Sequence, residues 1–265
     1  MSRQPPAAAP QRGIQSIEVG GALLKALAHH GRPLALKDLA AEAGMAPAKA
    51  HPYLVSFGKL GLIEQDPATS RYGLGPLAMQ LGLISLQQLD PLALATPLIE
   101  ALASACGHTM AVAVWGNRGA TIVRVAQPPS AVHVSMRHGT VMSLRGTASG
   151  RLFAALLPLA AVLPLLREEN RRGGAPKGRR GAVIDEALAA ALAAIRQTGF
   201  SRVKDLLLPG ISALAAPVFD GTGALVLSLT AIGPTPVFDS RPGGALARQV
   251  VAAAKALSTR LGWRA

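Results

Sequence analysis

The sequence predicts an α+β protein in which an N-terminal winged helix-turn-helix is joined by a linker helix to a larger α+β domain. Three observations predict it. Residues 36–76, LKDLAAEAGMAPAKAHPYLVSFGKLGLIEQDPATSRYGLGP, read as helix, tight turn, second helix and short β-hairpin. Further on, apolar runs at 213–219 and 224–232 flank Asp220-Gly221-Thr222-Gly223, strong hairpin chemistry. Segments of helical period surround those strands, the pattern of helices on an antiparallel sheet.

Composition bounds the reading. At 265 residues, half of them apolar, the chain has room for two domains and a sizeable core. Aromatics make up only 3% of the residues, too few for a stacking platform on single-stranded nucleic acid. A single cysteine, Cys106, excludes an internal disulfide and a thiolate zinc cluster. Residues 1–12 have no apolar h-region and read as a disordered tail. The longest apolar run, 152–166, is too short for a bilayer span and contains Pro158 and Pro164. A cytoplasmic protein without membrane contact is expected.

The net charge of +13 invites a nucleic-acid reading, but its distribution supports that only weakly. Residues 1–76 carry eight Lys and Arg against five Asp and Glu. Much of the surplus sits instead in RRGGAPKGRR, residues 171–180, read as a solvated loop or an arm that touches phosphate. The fold must carry the argument for DNA.

Element by element, a first helix is expected over 17–29, with Ser16 as N-cap and Gly31 as terminator. A second follows over 36–43. Ala40 leaves space for a close helix crossing, and Gly44, four residues later, ends the helix. The third begins near Pro47. Its inward stripe is Ala50, Leu54 and Phe57, which leaves Lys49, His51, Tyr53, Ser56 and Lys59 outward, where a recognition helix presents side chains to bases and phosphates. Pro52 conflicts with a helix interior, since it deletes a hydrogen bond and meets the carbonyl of Ala48. Either the regular helix starts at Pro52, or the helix is kinked there. A wing follows: strand 62–65, turn 66–70, return strand 71–74, with Arg71 at the loop tip within reach of phosphate or minor groove.

Residues 76–89 read as a linker helix with Leu77, Leu81 and Ile84 on one stripe, suited to a partner subunit or to its own domain. Boundaries fall at 13–75 for the winged domain, 76–92 for the linker and 93–265 for the second domain. In the latter, Asp90-Pro91 opens a segment, and a helix is expected over 97–106. Strands follow at 109–115, 121–126 and 132–136. Helices are expected at 152–157, 185–197 and 244–261, besides the hairpin strands named above.

Six phrases in this order resemble the IclR family of bacterial transcription regulators: GIQSIEVGGALLKAL from Gly13, LKDLAAEAGMAPAKAHPYL from Leu36, GLIEQDPATSRYGLGP from Gly61, LRGTASGRLFAALL from Leu144, PGISALAAPVFDGTG from Pro209 and LSLTAIGP from Leu227. The resemblance implies a homodimer or homotetramer that binds a near-palindromic operator in double-stranded DNA, with a GAF-like C-terminal domain holding a small-molecule effector, often a small organic or aromatic acid. By the family pattern, the effector pocket takes Thr147, Ala148, Ser149, Val203, Asp205, Ile211, Ala213, Thr230 and Ile232. Amides of a Gly-rich loop and the hydroxyls of Thr147, Ser149 and Thr230 suit a carboxylate. Two departures stand out. The family usually has Arg where Pro52 stands, so one DNA contact is missing. Ala213 and Ile232 replace the Cys or Ser of some members, which points to a larger or greasier effector than a two-carbon acid.

Enzymatic readings fail on the residues. Cys106-Gly107-His108 joins a helix end to a strand start and assembles no nucleophile–base pair. His133 and His138 lack metal spacing, Asp185-Glu186 suits a helix start, and no nucleotide fingerprint is present. No cofactor is called for. The alternative left open is a sensing or assembly module whose winged domain binds protein rather than DNA.

Overall fold

The computed structural model describes residues 13–129, 134, 136–174 and 183–264. The expected tail 1–12, most of the strand 132–136 with His133, and residues 175–180 of the basic loop lie outside the described residues. The chain divides into two compact units, residues 1–89 and 90–265.

The first unit contains α1 (Gln15–His30), α2 (Leu36–Glu42), α3 (Pro47–Lys59), β1 (Ile63–Gln65), β2 (Tyr72–Leu74) and α4 (Pro76–Gln88). Leu23, Leu27, Leu39, Ala40, Ala50, Leu54 and Ile63 form its core, so the stripe of α3 meets apolar faces of α1 and α2. The α1 start is corrected: Ser16 lies inside the helix, and the N-cap is Ile14 without a side-chain cap. Gly44 adopts φ +66 just past α2, letting Met45 N–H return to the Ala40 carbonyl at 2.9 Å. Of the two possibilities at Pro52, the late start is excluded, because α3 runs unbroken from Pro47 through it. The wing strands are each a residue shorter than expected at the start, and Gln65 pairs with Tyr72 in an antiparallel ladder.

The second unit contains α5 (Pro91–Cys106), β3 (Thr109–Gly116), β4 (Gly119–Ala126), α6 (Ala148–Leu156), α7 (Leu159–Glu169), α8 (Glu186–Thr198), β5 (Ser201–Lys204), β6 (Ile211–Phe219), β7 (Leu225–Pro234) and α9 (Ala245–Arg260). Its five strands form one antiparallel sheet in the order β4-β3-β7-β6-β5. Helices α5 and α9 pack on each other and on the sheet, and α6 with α8 makes a second layer. Residues 109–113 of β3 are buried without interruption, as a strand covered on both faces requires. Ala111, Ala113, Ile122, Ala213, Ala215 and Ile232 meet Leu152 and Phe153 of α6 in one core.

Two helix starts in this unit lie well before those expected from the sequence. The α5 helix begins at Pro91, six residues before the expected Pro97, because Asp90 caps it through Leu92 N–H at 2.9 Å and Ala93 N–H at 3.1 Å. Pro97 is carried inside at the cost of one ladder bond. The α6 helix starts at Ala148 rather than Leu152, since the Thr147 hydroxyl accepts from Gly150 N–H at 3.0 Å. What read as a Gly-rich loop is thus the cap and first turn of a helix. Pro164 likewise sits within α7.

Candidate nucleic-acid interface and effector cavity

On α3, Lys49, His51, Ser56 and Lys59 are exposed. The Ser56 hydroxyl donates to the Pro52 carbonyl at 3.0 Å, leaving its oxygen as an acceptor toward solvent. Tyr53 is half-buried rather than outward: a Cβ built on Gly20 would come within 2.9 Å of its ring, so the ring lies against α1. Arg71 is also placed differently. It does not stand at the tip of the wing but directly precedes β2, and its guanidinium reaches back to the Pro33 carbonyl at 3.5 Å. The tip is organised by Asp66, whose carboxylate accepts from Ala68 N–H at 2.8 Å and the Thr69 hydroxyl at 2.9 Å. Those bonds, the Ala68 amide foremost, hold the Asp66 carboxyl below the usual range. Leu34 exchanges backbone bonds with Tyr72 at 2.9 and 2.8 Å, which fastens the wing to the connector between α1 and α2.

In the second unit, a cavity of about 410 Å³ lies between the start of α6 and the faces of β6 and β7. Eight of the nine residues that the family pattern assigns to the effector line it: Thr147, Ala148, Ser149, Val203, Ile211, Ala213, Thr230 and Ile232. The ninth, Asp205, does not. It holds φ +51, and its carboxylate accepts from Gly210 N–H at 2.8 Å and the Thr235 hydroxyl at 2.7 Å. It therefore clamps the loop 205–210 instead of facing the cavity.

Three polar features face inward. The Ser149 and Thr230 hydroxyls, both buried, lie 2.9 Å apart. The amides of Ala148 and Ser149, opening α6, have no carbonyl of their own helix to bond. The Arg137 guanidinium is exposed at the cavity edge. Thr140 and Ser143 add hydroxyls to the lining, and Val134, Met136, Met142, Leu207 and Leu208 complete a mainly apolar wall. Sequence reasoning missed these five and Arg137, since they lie on irregular segments without period. The segment holding several of them is pinned beside β4, where Met142 N–H donates to the Ala120 carbonyl at 2.7 Å and Ile122 N–H to that of Thr140 at 2.9 Å.

Cys106 is half-buried and burial pushes its thiol up, away from the reactive thiolate. Among the described residues no group of His, Cys, Asp and Glu is placed to hold a metal ion. No helix of the described residues is long and apolar enough to cross a membrane.

A winged helix-turn-helix joined to a ligand-sized cavity in an α+β domain defines a one-component transcription regulator. Comparison with known proteins agrees. Residues 16–67 match the IclR helix-turn-helix domain, and residues 84–259 match the bacterial transcriptional regulator IclR C-terminal domain. The glycerol operon regulatory protein of Streptomyces griseus is 32% identical over 92% of this chain and 93% of its own length. The transcriptional repressor IclR of Escherichia coli is 27% identical over 86% of this chain and 83% of its own. The crystal structure of Pseudomonas aeruginosa HmgR superposes with a TM-score of 0.84 at 38% identity, covering 94% of this chain and 99% of that one. The chain belongs to the IclR family: it is a DNA-binding transcription regulator with an effector-binding C-terminal domain, and not an enzyme.

Proposed function

We propose that the protein is switched by an organic acid with an apolar, ring-sized body. The observation that carries this is the cavity itself: a polar end at the α6 N-terminus and the Ser149–Thr230 pair, and a mainly apolar remainder in which Ala213 and Ile232 offer no polar atom. The carboxylate sits at the opening amides of α6, where the helix dipole favours an anion. The body lies against Met136, Met142, Ile211 and Ile232. Isothermal titration of the full chain with glyoxylate and with a series of aromatic acids tests the reading. An aromatic acid is expected to bind at least tenfold more tightly than glyoxylate, as burial of several apolar carbons requires (roughly 0.8 kcal/mol per buried CH₂). Tight binding of glyoxylate alone overturns it. Ala213→Phe, which fills the cavity, is expected to abolish that heat while operator binding persists.

Toward DNA, we infer that α3 enters the major groove as a homodimer places two copies on a near-palindromic operator, with half-sites about one turn, ~10 base pairs, or a multiple apart. Such a regulator acts in the bacterial cytoplasm. Exposed apolar side chains on α4, Met79, Leu81, Leu83 and Ile84, support assembly of copies through that helix. Lys49→Ala and Lys59→Ala are each expected to weaken all sequences alike and to lower the salt slope of operator binding by about one. His51→Ala is expected to change sequence preference instead. Mobility shifts at two salt concentrations and footprints on variant operators read these out. Tyr53 and Arg71 contribute less, because each is turned toward its own domain.

A further inference from the structure

A second, larger cleft of about 870 Å³ lies beside the effector cavity, sharing Val141, Met142, Ser143, Gly146 and Leu207 with it. It is lined by charged residues from four separate segments: Arg118 from the β3–β4 turn, Arg145 and Arg151 around the start of α6, Glu168 and Glu169 at the end of α7 with Arg172 just beyond, and Asp185 before α8. These charges are not equally satisfied.

Every acid in the cleft is engaged. Glu169 accepts from the Ser143 hydroxyl and from Leu144 N–H at 2.9 Å. Glu168 accepts from Arg171 and from Arg172 at 2.9 Å. Asp185 takes Arg145 at 2.9 Å and Leu188 N–H at 2.8 Å. Arg145 is equally complete, bonding Asn170 at 2.7 Å, Asp185, and the Val183 carbonyl.

Arg151 is the exception. Only its Nε donates, to the Arg145 carbonyl at 2.6 Å, and among the described residues its two Nη groups have no acceptor. It is half-buried and burial pushes its pKa down, against the opposing pull of the Asp185 charge and with the Arg145 charge adding a little. Its Nη atoms are not sealed from solvent and stand ready to donate to an acceptor in the cleft. Arg118, exposed on the same cleft, likewise meets no acceptor among the described residues.

We propose that this cleft is a second ligand site, distinct from the effector cavity, that takes a compact oxyanion, a carboxylate or phosphate group, on the Nη groups of Arg151 with Arg118 closing from the rim. A planar guanidinium fork matches either oxyanion in two parallel bonds. The site stands apart from the effector reading above: although the two share a wall, they rest on different ligand-binding polar groups and fail separately.

The test is titration of the full chain at low ionic strength with inorganic phosphate in one arm and succinate in the other. One equivalent of at least one anion is expected to bind, and the stronger arm names the source, a phosphate ester or a carboxylic acid. Arg118→Gln and Arg151→Gln are each expected to weaken it at least fivefold, as loss of a charge-assisted pair does (about 1 kcal/mol or more). Arg118 makes no bond within the protein's described residues, so its variant tests the site without testing the fold. Ala213→Phe, in the neighbouring cavity, is expected to leave anion binding unchanged. Absence of binding in both arms up to millimolar concentration overturns the proposal. So does wild-type affinity in the Arg118→Gln chain, or loss of binding in Ala213→Phe.

Discussion

Gly150→Ala is expected to destabilise the C-terminal domain by roughly 3 kcal/mol or more, beyond the usual cost of one extra methyl in a packed interior. The reason is local and steric. A Cβ at position 150 would stand 2.0 Å from the Ser143 carbonyl oxygen and 2.7 Å from its carbon. Both are main-chain atoms, so no rotamer change relieves the clash. The segment 143–147 must move as a unit, taking with it the Thr147 cap on Gly150 and the Ser143–Glu169 bond. Since that segment walls the effector cavity, ligand binding is expected to fall with stability. Thermal unfolding of the full chain, with and without a bound acid, measures both effects. An unchanged midpoint would show that α6 tolerates a side chain there.

Arg145→Ala carries the next largest expected loss, roughly 3 kcal/mol, in line with breaking a largely buried ion pair from one side. Its side chain is 11% exposed and that of Asp185 is 20% exposed. Removing the guanidinium takes donors from Asp185, from the Asn170 side chain and from the Val183 carbonyl together. Those groups come from the end of α7 and the entry to α8, so the damage spreads over three elements. Arg145→Lys is expected to recover only part of the loss, because an ammonium cannot present the same planar fork. Urea unfolding midpoints for the two variants, compared with the unaltered chain, check the order. Equal stability of the alanine variant and the parent would mean that the network adds nothing net.

The sequence legibly encoded those parts of the fold that depend on short-range chemistry. Gly31 and Gly44 end α1 and α2 as expected, and Gly107 and Gly199 end α5 and α8 in the same way, each with positive φ. The hairpin at 220–223 forms with the Asp220 carboxylate accepting from Thr222 N–H at 2.9 Å and Ala224 N–H at 3.1 Å. Prolines misled the reading more than any other residue. Pro97 and Pro52 read as boundaries or disruptions, yet both lie inside helices that packing on the rest of their units sustains. Strand β5, only four residues long, carries too little pattern to announce itself. At the cavity, positions on strands and at the α6 start were accessible through family resemblance. Met136, Arg137, Met142, Leu207 and Leu208 were not, because their place is set by backbone bonds to β4 and by the Asp205 clamp, which no periodicity records. Asp205 shows the same limit in reverse: its identity suggests a ligand contact, while its conformation spends it on the loop.

The backbone exchange between Leu34 and Tyr72 has a bearing on how the operator is read. It makes the reading head stiff. In the proposed docking, helix and hairpin are not fitted to the duplex one after the other, so a site is accepted or refused as a whole. Insertion of a single base pair within a half-site should then abolish recognition outright instead of shifting it, and calorimetry of the intact complex should show little heat-capacity change from ordering of the head itself.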